Sequence, residues 1–235
     1  MTGERRCLVV RPEPGCTATV ARVRALGGWR PVGVPLTERV GTGIPMPSEA
    51  FDAVVLTSAA AAPYLDALPR DVPVHCIGQA TANAARHAGF TNVRLGTGRP
   101  VADGGALGSA LAHSLRDRAV LYPCAEDRRP DLEREAALGG VQVLLWPVYR
   151  TAPAPDGEAR LRRALDRPPD ATLLHAPSTA RTLAAAWPTE WKGSSVTWLT
   201  LSRQIADALP ADLSGPRVVA ETPDERALIA RLGCV

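Results

Sequence analysis

The sequence predicts an α/β protein with parallel β-sheets that are covered by helices on both faces. Short apolar runs alternate with helical patterns along the chain, which is typical of consecutive strand–helix–strand units. One pattern also occurs twice: residues 52–62 read DAVVLTSAAAA, and residues 170–180 read DATLLHAPSTA. In each copy an acidic residue, an apolar run and a turn of small residues follow one another. This order indicates a buried strand that leads directly into a helix.

The length and composition fit a globular protein of two domains. A chain of 235 residues suits two domains of about 100–120 residues each. The apolar content of 46% and the charged content of 22% are ordinary. A net charge of +3 is too small to indicate nucleic acid binding. Lys192 is the only lysine, so the positive charge is nearly all arginine, which reflects either coding bias or a need to bind carboxylates or phosphates.

The cysteines and the terminal sequence exclude several classes of protein. The five cysteines are widely spaced, and no pair has CxxC spacing, which excludes a disulfide framework and a zinc site. The N-terminal apolar run is too short for a signal peptide. No segment approaches the roughly 20 apolar residues of a membrane span. We therefore expect a soluble cytoplasmic protein without membrane contact.

The first half of the chain has five predicted strands and four predicted helices. Gly27 and Gly89 end two of the helices, as glycine commonly does at the C′ position. Residues 37–51 are rich in Gly and Pro and are predicted to form a loop. The predicted strands are 8–10, 30–34, 53–57, 74–77 and 93–95, and the predicted helices are 17–26, 60–68, 80–88 and 105–115.

The second half repeats this organisation. GGVQVLLWPV at 139–148 matches GGWRPVGVPL at 27–36. The pattern alone leaves two arrangements open: tandem domains that divide near Asp117, or a first unit that packs with the last third of the chain while the middle forms the other domain. The predicted strands are 119–122, 142–146, 172–175, 196–200 and 217–220, and the predicted helices are 130–138, 158–165, 179–186, 203–209 and 224–232.

The turns that follow the predicted strands are the candidate binding residues. Ligands of open parallel sheets bind beyond the carboxyl ends of the strands. Most of these turns offer hydroxyl groups and helix-start N–H groups, which suit anions. Plain N-capping by Ser and Thr is the alternative explanation. The turns are Arg11–Pro12, Thr57–Ser58–Ala59, Gly78–Thr81, Pro123–Arg129, Pro177–Thr179 and Thr200–Ser202.

Three individual features have both a structural and a functional interpretation. Arg11 directly follows a strand, and it is either a surface arginine or an anion ligand. Tyr149 stands in VYRT just after a predicted strand, where a tyrosine is often half-buried with its hydroxyl in water. The charged turn at residues 126–129 is expected to be solvated.

His75 and His175 lie in or at the ends of strands and are expected to be packed rather than catalytic.

Several signatures of other functions are missing from the sequence. It contains no GxGxxG, no Walker A loop, no HExxH and no cluster of Cys and His. The sequence therefore indicates a site that binds and shapes an anion without a metal or an organic cofactor.

Eight stretches in this order resemble the uroporphyrinogen-III synthase family. Each is loosely matched by itself, and the block LYPC–helix–GG–VYRT is the most specific. The stretches are LVVRPEPG (8–15), DAVVLTSAAAA (52–62), IGQATANAARHAGF (77–90), LYPCAEDRRPDLEREAALGG (121–140), WPVYRT (146–151), LLHAPSTARTL (173–183), TLSRQIADAL (200–209) and AETPDERALIARL (220–232).

The resemblance implies two flavodoxin-like α/β domains with parallel sheets, joined by a two-stranded β-ladder. It selects the second arrangement: one discontinuous domain from residues 1–34 and 152–235, the other from residues 38–147. The linker strands would lie near 34–37 and 147–151, and the active site would be the cleft between the domains. It also implies a monomer.

The resemblance implies one reaction of tetrapyrrole biosynthesis. Hydroxymethylbilane, a linear tetrapyrrole with eight carboxylates, is closed to uroporphyrinogen III with inversion of ring D and loss of water. No cofactor or metal takes part, and transient contact with hydroxymethylbilane synthase is expected. Tyr149 would assist departure of the hydroxyl group. The implied substrate-binding residues are Arg11, Thr57, Ser58, Ala59, Gly78, Thr81, Ser178, Thr179 and Ser202.

The sequence departs from the family pattern at three places, and other functions remain open. Thr200–Ser202 lacks a glycine, His175–Ala176 replaces a Thr/Ser pair, and Ala125–Glu126–Asp127 has acids where glycine is common. The alternatives are a non-catalytic tetrapyrrole-binding relative, a periplasmic-type binding protein and a flavodoxin-like FMN protein. The retained Tyr149 and turn hydroxyls favour the enzyme.

Overall fold

The computed structural model describes residues 4–96 and 103–235. The chain divides into two compact units, one of Met1–Arg39 with Thr151–Val235 and the other of Val40–Arg150. The strands, in chain order, are β1 (Arg5–Val9), β2 (Trp29–Gly33), β3 (Thr37–Gly41), β4 (Ala53–Leu56), β5 (Val74–Cys76), β6 (Val93–Leu95), β7 (Ala119–Ala125), β8 (Gln142–Pro153), β9 (Ala171–Leu174), β10 (Thr197–Thr200) and β11 (Arg217–Val219).

Helices connect most of these strands. In the described ranges, none of them is long and apolar enough to span a membrane. The α-helices are α1 (Gly15–Ala25), α2 (Gln79–His87), α3 (Gly104–Ser114), α4 (Asp131–Ala137), α5 (Gly157–Ala164), α6 (Pro177–Ala186), α7 (Arg203–Asp207) and α8 (Glu225–Ala230). Three short 3₁₀ helices are Ala59–Tyr64, Thr189–Trp191 and Arg231–Cys234.

The first unit contains a parallel sheet in the order β11-β10-β9-β1-β2. Successive residues of β1 point to opposite faces, and both faces are buried. Leu8 belongs to a core with Leu174, while Cys7 and Val9 belong to the other core with Leu173. This explains why the strand sequence is a continuous apolar run. Relative to chain order, the strand order changes direction between β1 and β9, which is where ligands bind in such sheets.

The second unit contains a sheet in the order β3-β8-β7-β4-β5-β6, and the strands from β8 to β6 are parallel. Val54 and Leu56 of β4 face one core, and Ala53 and Val55 face the other. The strand order changes direction between β4 and β7. The predicted α/β class with parallel sheets is confirmed. The five strands of the first unit have the flavodoxin-like order 2-1-3-4-5, whereas the five parallel strands of the second unit have the order 3-2-1-4-5, so the flavodoxin-like expectation holds for the first unit alone.

Two predictions about the segments that run between the units were wrong. The predicted strand 142–146 is the start of a twelve-residue strand β8, and the predicted loop 37–51 contains β3. Hydrogen bonds join Ala154 N to Leu36 O and Thr42 N to Val148 O, so these segments pair antiparallel. Pairing with β3 and β7 satisfies backbone groups beyond Trp146, and the strand therefore continues.

The helix predicted at 60–68 is instead the 3₁₀ helix Ala59–Tyr64. Pro63 lies inside this segment and has no N–H to donate, which shortens the helix. The C′ glycines were predicted correctly, because Gly27 and Gly89 have φ values of 73° and 90° after α1 and α2. The strand predicted at 93–95 is present with the same ends, and the remaining predicted strands and helices are present with shifted ends.

Helices α3 and α4 pack closely because Gly108 has no side chain. A Cβ atom there would lie 2.4 Å from the carbonyl oxygen of Leu132 and 2.9 Å from Cβ of Glu135. At Gly105, in the same helix, a Cβ would meet only ordinary contacts, the nearest at 3.4 Å.

We expect Gly108→Ala to destabilise the chain. Alanine normally stabilises a helix interior by about 0.5–1 kcal/mol relative to glycine, but overpacking here should cost about 1–3 kcal/mol. Urea unfolding followed by circular dichroism measures the change. Gly105→Ala is the matched control and should be neutral or stabilising. Equal unfolding free energies for the two variants would contradict close packing at Gly108.

Candidate functional site

The first unit brings four predicted residues to the carboxyl edge of its sheet. Arg11 follows β1, Ser178 and Thr179 lie in the first turn of α6 after β9, and Ser202 precedes α7 after β10. Thr179 is buried, and Ser178 and Ser202 are partly exposed. The side chain of Ser202 makes no capping hydrogen bond, so plain N-capping does not explain it.

Arg11 is part of a polar cluster that the sequence did not indicate. Its Nη1 donates to Oε1 of Glu225 at 2.8 Å and to the hydroxyl of Thr19 at 3.3 Å. Glu225 also accepts hydrogen bonds from Thr19 and from Arg22. Burial, together with the charge of Arg22, lowers the pKa of Arg11 from its ordinary value. Arg11 is therefore a partly buried cation whose side chain is fixed by hydrogen bonds, rather than a free surface arginine.

His175 lies on the other side of the point where the strand order changes. It follows β9, and its Nε2 is 3.6 Å from Oε1 of Glu225, beyond hydrogen-bond distance. Burial and the charge of Arg11 lower the pKa of His175 to about 3, so it is neutral near pH 7. His75, in β5, is also buried. Both histidines are packed, as predicted.

The second unit places Thr57 after β4, beside the point where its strand order changes. The Thr57 hydroxyl and the hydroxyl of Tyr122, in the neighbouring strand β7, are 2.8 Å apart. Burial raises the pKa of Tyr122 to about 12, although the hydrogen bond to Thr57 opposes this shift. Tyr122 was missed as a site residue. Only its position in LYPC, opposite the turn after β4, could have indicated it.

The other turn residues of the second unit differ in what their side chains do. Ser58 accepts a hydrogen bond from Ala60 N at 3.2 Å, so here the capping explanation holds. Ala59 begins the 3₁₀ helix. Gly78 precedes α2, and Thr81 is buried in its first turn. These residues, with Thr57, share the carboxyl edge of the second sheet.

Tyr149 lies inside β8, and the prediction that it follows a strand was wrong. The strand continues through it because Tyr149 still pairs with Ala125 of β7, after a bulge at Val148 that follows the regular pair of Cys124 with Pro147. Tyr149 is only 7% exposed. Its ring stacks on that of Tyr64, with the centroids 6.1 Å apart. Within the described residues, its hydroxyl has no hydrogen-bond partner.

The charged turn after β7 is not fully solvated, contrary to expectation. Nε of Arg128 is 2.7 Å from Oε1 of Glu133, and their side chains are 21% and 17% exposed. Glu133 lies in the first turn of α4, which brings it back over the turn. Throughout the described part of the chain, no three His, Cys, Asp or Glu side chains are grouped so that they could hold a metal ion.

The buried His175 makes stability depend on pH. Its folded pKa of about 3 lies below the value of about 6.5 for an unfolded histidine. Between these values the unfolded chain binds the extra proton, so the free energy of unfolding falls as the pH drops. His175→Phe should flatten this part of the profile, measured by urea unfolding at about pH 7 and about pH 4.5. The exposed His87→Phe is the control, and an unchanged slope for His175→Phe would contradict the assignment.

Comparisons with known proteins identify the family. A family model described as uroporphyrinogen-III synthase HemD matches residues 17–230. The uroporphyrinogen-III synthetase of Helicobacter pylori 26695 is similar in structure, with a TM-score of 0.67 and 16% identity over 98% of this chain and 99% of that chain. A mutant uroporphyrinogen III synthase of the extremely thermophilic bacterium Thermus thermophilus has a TM-score of 0.50 and 22% identity over 98% of this chain and 96% of that chain.

At these identities the solved structures support the fold alone, and the family model carries the assignment. A search of curated proteins finds no significant match. The matched region includes nearly all the elements of both units, and the resemblance inferred from the sequence is confirmed. The chain therefore belongs to the uroporphyrinogen-III synthase family.

Proposed function

We propose that the chain is a uroporphyrinogen-III synthase that closes hydroxymethylbilane to uroporphyrinogen III. The reaction inverts ring D and releases water. The match of the family model over residues 17–230 is the observation that carries this proposal. The cyclisation is balanced as one ring closure and one water released, so the proposal requires no electron donor or acceptor.

The carboxyl edges of the two sheets suit a substrate with many carboxylates. Helices α2 and α6 begin at these edges, and neither has an acidic side chain in its first turn. Their unpaired N–H groups and helix dipoles are therefore available to anions. Arg11, Ser178 and Ser202 add a cation and two hydroxyl groups in the first unit. Thr57 and Thr81 add hydroxyl groups in the second unit, so each edge is proposed to bind substrate carboxylates or pyrrole N–H groups.

The proposed catalysis is mainly control of conformation. Unaided closure of the bilane gives the symmetric isomer, so the enzyme must favour attack at the substituted carbon of ring D through a spiro intermediate. Binding of the carboxylates restricts the bilane to the reactive conformation. Such restriction is a large source of rate acceleration. The proposed role of Tyr149 is to donate a hydrogen bond to the departing hydroxyl group. Its hydroxyl is not committed to another described residue, which favours this role.

Four further features stay predictions. A monomeric state and transient contact with hydroxymethylbilane synthase are proposed because the family resemblance implies them. The division into residues 1–34 with 152–235 and residues 38–147 is proposed on the same basis. The hydro-lyase class follows from the proposed release of water.

The function is tested by the isomer of the product. Hydroxymethylbilane is generated in situ with a deaminase, the chain is added, and the oxidised uroporphyrin isomers are separated. We expect mainly isomer III, because the enzyme closes the bilane before spontaneous closure does. Isomer I alone, from a folded chain, would refute the enzyme and indicate a non-catalytic tetrapyrrole-binding relative.

Tyr149→Phe tests the proposed acid. Phenylalanine keeps the ring stacked on Tyr64 but removes the hydroxyl, so kcat should fall by at least about tenfold while KM changes little. The same isomer assay, run against substrate concentration, gives both constants. Tyr64→Phe removes a hydroxyl from the neighbouring ring and is the matched control, which should retain kcat. Equal kcat values for Tyr149→Phe and the unaltered chain would remove Tyr149 from the mechanism.

A further inference from the structure

We propose that Glu225 is a positioning residue, which holds the Arg11 guanidinium so that its free edge binds one carboxylate of the acidic tetrapyrrole. This inference rests on the proposed function and adds a residue to its site. Glu225 lies in the first turn of α8, 214 residues from Arg11. No motif at either position indicated the pair.

Glu225 is the common acceptor of three donors. Its carboxylate accepts hydrogen bonds from Arg11, which follows β1, and from Thr19 and Arg22, which both lie on α1. The side chains of Glu225 and Arg11 are 20% and 27% exposed, whereas that of Arg22 is 59% exposed. The interaction with Arg11 is therefore the more shielded of the two ion pairs and the stronger constraint on side-chain position.

Arg11 is also confined from the other side by Gly15, the first residue of α1. A Cβ atom at Gly15 would lie 2.5 Å from Nε, 2.9 Å from Cζ and 3.1 Å from Nη2 of Arg11. The Nε and Nη2 side of the guanidinium group thus faces the backbone of α1, and the space beside it stays open because residue 15 has no side chain. The backbone at Gly15 and the ion pair with Glu225 together fix the orientation of the group.

The fixed orientation leaves one edge of the guanidinium unused. Both described hydrogen bonds of the Arg11 side chain come from Nη1. Within the described ranges, Nε and Nη2 have no hydrogen-bond partner. These two N–H groups form one of the edges that bind a carboxylate in bidentate fashion. The edge lies where the strand order changes, which is where ligands of such sheets bind.

The charges around Arg11 explain why it needs a carboxylate partner. Burial and the neighbouring Arg22 disfavour the charged form of Arg11 and lower its pKa, and His175 is neutral near pH 7 and adds no further positive charge. Glu225 supplies the compensating charge while occupying only Nη1. The alternative is that Glu225 merely ties α8 to α1, in which case its loss should lower stability without changing ligand binding.

The test compares Glu225→Gln, Arg11→Ala and the double variant in the full chain. KM and kcat come from the isomer assay, and the Kd for uroporphyrin III, an octacarboxylate, comes from quenching of tryptophan fluorescence. We expect Glu225→Gln to raise KM and Kd about tenfold and to change kcat little. The double variant should bind no worse than Arg11→Ala, because Glu225 acts through Arg11. Glu221→Gln, at an exposed carboxylate near the same edge, is the matched control.

Gly15→Ala provides a second test that keeps every charge. The added methyl group should displace the guanidinium and raise KM and Kd in the same direction. Unchanged KM and Kd in folded Gly15→Ala would show that the position of Arg11 does not govern binding and would overturn the proposal even if Glu225→Gln does not fold. Unchanged KM and Kd in folded Glu225→Gln would overturn the proposal.

The outcomes separate this proposal from the proposed function. A chain that forms isomer III but binds uroporphyrin III independently of Glu225 would refute only the positioning role. A chain that forms no isomer III, yet binds uroporphyrin III in a Glu225-dependent way, would refute only the enzyme and support the carboxylate site. An unaltered chain that neither forms isomer III nor binds uroporphyrin III would overturn both.

Discussion

Burial of both faces of each parallel sheet is the constraint on which the rest of the structure depends. Along β1, Cys7 and Val9 enter one core and Leu8 enters the other. A slip of one residue would exchange the two faces, so the strand register is strongly specified. Because the register is specified, the carboxyl ends of the strands meet at one edge of each sheet. That edge is where Arg11 and Thr57 emerge, and the candidate site is a consequence of core packing.

Negative charge is distributed unevenly among the helix starts at these edges. Helices α2 and α6 have no acidic residue in their first turns, which leaves their N-termini to anions. Helix α8 has Glu225 in its first turn, and this carboxylate pairs with Arg11. In the second unit the Thr57–Tyr122 hydrogen bond links the two strands beside the corresponding point. The chain thus pairs the partly buried Arg11 with its own carboxylate, whereas the first turns of α2 and α6 contain no such anion.

Predictions from the sequence succeeded where the signal is local. Alternating apolar runs located the strands, and Gly27 and Gly89 ended their helices because each requires a positive φ. Predictions failed where non-local contacts decide. Strand β8 extends past Trp146 because β3 and β7 pair with it. The 3₁₀ segment at Ala59–Tyr64 was missed because small residues resemble a helix start, although Pro63 removes a donor.

The sequence by itself determined the α/β class, the order of elements, the turns that carry hydroxyl and N–H groups, and the family. The class, the order and the turns follow from periodicity and from backbone preferences that act within a few residues, whereas the family follows from the resemblance of eight ordered stretches and from the family model. Only the tertiary structure decided which side chains meet: Glu225 with Arg11, Tyr122 with Thr57, and Tyr149 with Tyr64. The physical reason is that these contacts join distant segments. Whether they form depends on strand pairing and shared burial, which no short stretch of sequence specifies.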